Sequence, residues 1–170
     1  MEDLPGFVNL VIGDLLSEVA HLDERIKHYN VHVRTLARDC NAAQQLRQLM
    51  GVGETTATAI VTMVGNASEL GCGRQFAAWV GLVPAQYSAG GKTRLGRITK
   101  AGDPYLRSLL VMGARAVLNA AEGKRDSISR WALALEKRRG YCKAVVAITA
   151  KNARMAWAVL TKGESFKLPT

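Results

Sequence analysis

The sequence predicts a mainly α-helical chain, with a long coiled-coil-like helix at the N-terminus and a compact helical domain behind it that contains a helix-hairpin-helix. Three observations carry this. Val8, Ile12, Leu15, Val19, Leu22, Ile26, Tyr29, Val33, Leu36 and Cys40 recur at alternating steps of four and three, the spacing of a coiled-coil seam. Gly51-Val52-Gly53 punctuates two helix-like stretches. Ala144, Ala147, Ala150, Ala153 and Ala156 recur at helical spacing near the C-terminus, where small side chains let helices pack closely.

Taken in order, the first element begins near Pro5-Gly6 and is weakened at Gly13. Glu18, Asp23, Glu24, Arg25, Lys27 and Arg34 give it the mixed charges of a solvated face. With no core of its own, it is expected to pair with another helix, either in a second copy or in a region outside this chain. An amphipathic helix lying on its own domain is the alternative. His21, His28 and His32 all fall on it and read as solvated helix residues. Residues 46–64 hold the helix-hairpin-helix pattern, in which glycines allow the N–H groups at a helix N-terminus to meet a phosphate. Gly51, Gly53 and Thr55 are the candidate contacts there, and a hairpin used only for packing is the alternative. Arg74–Val80 reads as a short helix stopped by Gly81.

The segment from Gln86 to Arg107 is the least ordinary. Gly90, Gly91, Gly96 and Gly102 accompany Lys92, Arg94, Arg97, Lys100 and Arg107, against the single acid Asp103. Close backbone approach and dense positive charge together suit a polyanion. The stretch from Val83 to Thr99 is compatible with an extended loop or a short hairpin. Asp103 with Pro104 reads as a helix start running to about Ala121. Further helices are predicted over 127–137 and 143–160. The organisation is therefore a long helix over 1–44, a domain over 45–163 with a Ser/Gly/Lys loop at 86–102, and a tail at 164–170.

Composition narrows the function classes. At 170 residues, with 48% hydrophobic and 22% charged residues, the chain has the make-up of a globular protein. No apolar run approaches the roughly 20 residues that span a bilayer. The first residues carry acids rather than the basic stretch of a signal peptide. Three scattered cysteines suit neither a disulfide framework nor a metal site. A cytoplasmic protein is expected. The net charge of +9 is uneven: residues 1–50 hold five basic and seven acidic side chains, and residues 51–170 hold eighteen and seven. So basic a domain has nucleic acid as its expected partner. There is no cofactor fingerprint and no paired-carboxylate or metal-ligand spacing, which leaves little support for a small-molecule enzyme.

The ordered motifs GVGETTATAIV, RQFAAWVGLVP and QYSAGGKTRLGRITKAGDPYLRSLLVMGARAVL are similar to the C-terminal transposase domain of the insertion-sequence family usually called IS one-ten, especially its IS one-one-one-one branch. The likeness is close over residues 46–121 and extends through the helices to about 163. It implies DNA transposition by a recombinase with two parts. One is an N-terminal domain that resembles a Holliday-junction resolvase and holds divalent metal on four carboxylates. The other is a C-terminal domain that supplies a serine nucleophile. The resemblance further implies element ends and target DNA as partners, action across an oligomer and, in some members, an element-encoded guide RNA.

On that resemblance the nucleophile is Ser88, within Ser88-Ala89-Gly90-Gly91-Lys92. Related sequences often carry serine at both of the first two positions, and here the second is Ala89. Lys92, Arg94 and Arg97 lie close enough in sequence to stabilise charge that develops on phosphate oxygens. Without the resemblance, Ser88 reads as a turn hydroxyl bonded to its own backbone. The acids beyond the first helix are scattered, so no metal or other cofactor site is expected in this chain, and the divalent metal is expected in the domain ahead of it. The chain is accordingly read as a truncated copy, a partial gene product or one part of a split enzyme. The alternative is a non-catalytic DNA-binding remnant, or a dominant-negative regulator of an intact transposase.

Overall fold

The computed structural model describes residues 6–163. Pro5 and the predicted tail at 164–170 lie outside the described residues. The first helix, α1 (Gly6–Asp39), runs unbroken through Gly13 for 34 residues. Nearly all of it is solvent-exposed, including Leu15, Val19, Leu22 and Ile26, and only Ala37 is buried. Cys40 does not extend the seam, because its backbone turns extended (φ −97, ψ 112) and it becomes the N-cap of α2 (Asn41–Leu46). The last part of α1 rests on α2 and on α3 (Glu54–Val64).

A turn joins α2 to α3 through Gly51, which holds φ +81, a conformation that costs glycine little and other residues much. Gly65, at φ +61, ends α3. The short helix α4 (Gly73–Trp79) ends at Gly81, whose φ of +78 lets the Leu82 N–H reach back to the Ala77 carbonyl at 2.9 Å. That reversal is a Schellman-type stop, and it launches strand β1 (Pro84–Ala89). Strand β2 (Lys92–Ile98) pairs with it antiparallel. The Val83–Thr99 stretch is therefore a β-hairpin standing on an otherwise helical domain.

Three further helices follow. Asp103 caps α5 (Pro104–Asn119) by accepting a bond from the Leu106 N–H, with Pro104 in the first turn as the sequence predicts. Asp126 caps α6 (Ser127–Arg139) in the same way through the Ser129 N–H. Gly140 then separates α6 from α7 (Tyr141–Lys162). The helix α7 organises the interior. Its Ala153, Ala156 and Val159 join Leu46, Ile60, Phe76 and Leu110 in one apolar cluster. Its Ala144, Val145 and Ile148 join Ala114, Leu118 and Ala132 in a second. Ala147 and Ala150, of the same small-residue series, are half-buried. Two polar side chains tie turns to this helix. Asn152 donates to the Met50 carbonyl at 2.9 Å, and Trp157 donates to the Leu70 carbonyl at 2.8 Å. Buried carbonyls need such partners. No helix among the described residues is long and apolar enough to cross a membrane.

Candidate nucleic-acid interface

The hairpin stands out from the domain with both strands largely exposed. Gly90 and Gly91 form its two-residue turn at φ +58 and +76, the doubly positive backbone that matches the twist of paired strands. The register sets Gln86 opposite Leu95, Tyr87 opposite Arg94, Ser88 opposite Thr93 and Ala89 opposite Lys92. An irregularity between Pro84 and Gln86 shifts the pairing towards the base. There the Thr99 and Lys100 N–H groups bond to the Val83 and Gly81 carbonyls, at 2.9 and 3.0 Å.

Strand geometry sorts these side chains by face, because neighbours along a strand alternate and cross-strand partners share a side. Ser88 shares its face with Gln86, Thr93 and Leu95. Lys92 and Arg94 belong to the opposite face, with Tyr87. The cations nearest in sequence to Ser88 are thus not beside it on one surface. Both faces contribute to an open depression of about 470 Å³ lined by Tyr87, Ser88, Lys92 and Arg94. Arg97 and Lys100 are exposed past the irregularity. Ser88 itself is exposed, and its Oγ accepts a hydrogen bond of 2.7 Å from Gln86 Nε2. Sequence reasoning does not single out Gln86, and the strand's two-residue period is the signal that pairs it with Ser88.

Arg107 sits apart from this surface in both place and chemistry. It is half-buried, and its guanidinium donates to the Val80 and Gly102 carbonyls at 3.0 and 3.1 Å. It clamps the base of the hairpin to the start of α5. Gly102 is there for the same closeness, since a Cβ on it would stand 1.8 Å from the Trp79 carbonyl oxygen.

The second candidate region lies where the turn meets α3. Gly53 is the N-cap of α3, Thr55 is exposed in its first turn, and a cavity of about 660 Å³ is lined by Arg47, Gly51, Gly53, Thr55 and Gly113, among others. A Cβ on Gly53 would meet nothing within 4 Å. Gly51 is different. A Cβ on it would come 2.6 Å from the Gly113 carbonyl oxygen of α5, so its glycine serves the contact between turn and helix. Glu54 places a carboxylate in the first turn of α3, 3.4 Å from Arg34 and 3.2 Å from Arg47. That acid occupies the positive end of the helix dipole, which an incoming phosphate would also seek.

A divalent metal ion needs several converging oxygen ligands. Glu54 is ion-paired, and Asp103 and Asp126 cap separate helices. Among the described residues no three His, Cys, Asp or Glu side chains come together in a way that could hold a metal ion. His28 and His32 bond to each other, at 2.9 Å on the exposed face of α1.

Relatives place this arrangement in context. A family model described as "Transposase IS116/IS110/IS902 family" matches residues 43–128, half of the chain, from α2 through the hairpin to the start of α6. A "Probable family 20 transposase" of Pseudomonas aeruginosa is 40% identical over 164 residues, which is 96% of this chain and 48% of that protein. The transposase for insertion sequence element IS1111A of Coxiella burnetii is 38% identical over 157 residues, 92% of this chain and 43% of the relative. The transposase for insertion sequence element IS1328 of Yersinia enterocolitica is 33% identical over 164 residues, 96% and 49% respectively. The chain spans about half the length of the curated relatives it matches. With its matched segment centred on the glycine-turned hairpin and the helices that hold it, the chain belongs to the IS116/IS110/IS902 transposase family.

Proposed function

We propose that the chain is the DNA-engaging part of an insertion-sequence transposase and that Ser88 is the nucleophile it brings to a phosphodiester. In this step the Ser88 oxygen bonds to phosphorus as the bond from phosphorus to a deoxyribose oxygen breaks. The proton lost by the Ser88 hydroxyl is balanced by one gained on the departing oxygen, which leaves as a free hydroxyl. The observation that carries the reading is the display of Ser88 on a solvent-facing strand, beside a Gly-Gly turn and oriented by the Gln86 amide. An exposed serine can meet a bulky duplex, which a buried one cannot. Lys92, Arg94, Arg97 and Lys100 supply charge for neighbouring phosphates, and Gly90 and Gly91 allow the backbone to come close. Gly51, Gly53 and Thr55 offer a second, weaker contact, against which the Glu54 carboxylate counts. Arg107 acts from behind, by holding the hairpin in place.

The reaction's divalent metal belongs, on this reading, to a carboxylate site in another segment or subunit. The exposed apolar face of α1 supports self-association, which would bring two such sites to one DNA end. Element ends and target DNA are the partners, an element-encoded guide RNA is a further candidate, and the cytoplasm is the expected place of action.

A second reading is a non-catalytic DNA-binding module that interferes with an intact transposase through mixed oligomers. The observation in its favour is that the partner of Ser88 Oγ is an amide, which cannot take a proton. Co-expression with an intact family member and its element separates the two. The first reading predicts a covalent protein–DNA product on this chain that Ser88→Ala abolishes, with salt-sensitive DNA binding unchanged. Equal loss of product and binding would make the serine structural. Lowered transposition without any covalent product would support the second reading.

A further inference from the structure

The hairpin face turned away from Ser88 has a chemistry of its own. Tyr87 stands directly opposite Arg94, and Lys92 lies on the same face one step nearer the turn. Tyr87 is 69% exposed. Beneath one edge of its ring lies Gly96: a Cβ there would come 2.8 Å from Tyr87 Cε2 and 3.5 Å from Cδ2. Covering a strand glycine with a cross-strand aromatic is a known way to steady a sheet. Here it uses only one edge of the ring. A side chain left so exposed gains little from burial within its own chain, and Arg94 directly opposite and Lys92 diagonally towards the turn are the cations of its face.

We propose that Tyr87 is a stacking platform for an unpaired base of a DNA strand, with Lys92 and Arg94 contacting the phosphates beside it. Base–aromatic stacking is the characteristic contact of proteins that hold unpaired strands, so single-stranded or locally opened DNA is the ligand. Stacking of this kind tolerates any base, and the cations supply the salt-dependent part of the affinity. The hairpin then has two working faces: Ser88 acts on the phosphodiester from one, and Tyr87 retains an opened strand on the other. This inference rests on the reading that the hairpin meets DNA.

The test uses the full chain with a fluorescein-labelled oligothymidine strand and a labelled duplex of mixed sequence, read by anisotropy over a series of salt concentrations. Tyr87→Leu should weaken single-strand binding about tenfold or more and leave duplex affinity within about twofold. Tyr87→Phe should match the parent on both. Arg94→Ala should weaken both and lower the salt slope by about one unit. Unchanged single-strand affinity in Tyr87→Leu would overturn the stacking role, and so would equal losses on single strand and duplex. If the parent chain binds neither form in a salt-dependent way, the DNA reading of the hairpin falls with it.

Discussion

Gly113 in the middle of α5 and Gly51 in the turn before α3 meet backbone to backbone. A Cβ on Gly113 would stand 1.8 Å from the Gly51 carbonyl oxygen, with only backbone to give way. Overpacking against backbone is among the costlier single changes. Gly113→Ala should therefore lower unfolding stability by about 3 kcal/mol, measured by urea denaturation. Gly53→Ala, with open space around its Cβ, should shift it by less than about 1 kcal/mol. The sequence treats Gly51 and Gly53 alike, as a pair around Val52. What separates them is a long-range contact with α5, which local pattern does not encode. Arg107 is a similar case. Its charge counts towards a basic patch on paper, yet its guanidinium donates to the Val80 and Gly102 carbonyls. Ser88 is proposed as the nucleophile on its motif, while its bond with Gln86 depends on both residues sharing a strand face.

Elements governed by local chemistry are the most legible. Asp103-Pro104 announces the start of α5 because the cap and the fixed proline φ act within one turn. Asp103→Ala should cost about 1 kcal/mol by the same urea measurement. Asp126 does the equivalent for α6. The neighbouring Ser129 side chain and, through a 2.8 Å bond, the Ser129 N–H hold its carboxyl below the usual value of 3.8. The buried Ser129 hydroxyl itself meets no hydrogen-bonding geometry, so the N–H bond is the contact that counts. Because the folded-state pKa is depressed, this cap stabilises α6 at neutral pH and its contribution fades as pH falls below about 4. Asp126→Asn should flatten the acid limb of a stability-versus-pH curve, and an unaltered limb would show the cap to be idle. The hairpin is harder to read. Its strands carry glycine and cations where half-buried strands carry alternating apolar residues, since both strands are largely exposed. The helix α1 shows the reverse limit: periodicity defines its apolar seam, but among the described residues most of that seam is exposed and only its last part meets α2 and α3. If that seam pairs two copies, Ile26→Glu should turn a dimer into a monomer in sedimentation velocity, without loss of helix content.

At the scale of the whole molecule, charge and shape converge. Positive charge gathers behind the first helix: residues 51–170 hold eighteen basic and seven acidic side chains, and the hairpin exposes several of those cations. The helix α7 makes that domain one body, packing against α4, α5 and α6 and contributing to both apolar clusters. A rigid base of this kind lets the hairpin stand free without its own core. We propose that this hairpin is where DNA is held. The most direct measurement is the salt dependence of affinity for an element-end duplex, comparing the parent chain with Lys92→Ala/Arg94→Ala/Arg97→Ala. Each phosphate that is no longer neutralised should reduce the slope of log K against log salt by about 0.9. A drop of roughly two to three units in the triple variant, with helix content unchanged, is the predicted result. A variant that binds as tightly and as salt-sensitively as the parent would contradict it and move the interface elsewhere on the domain.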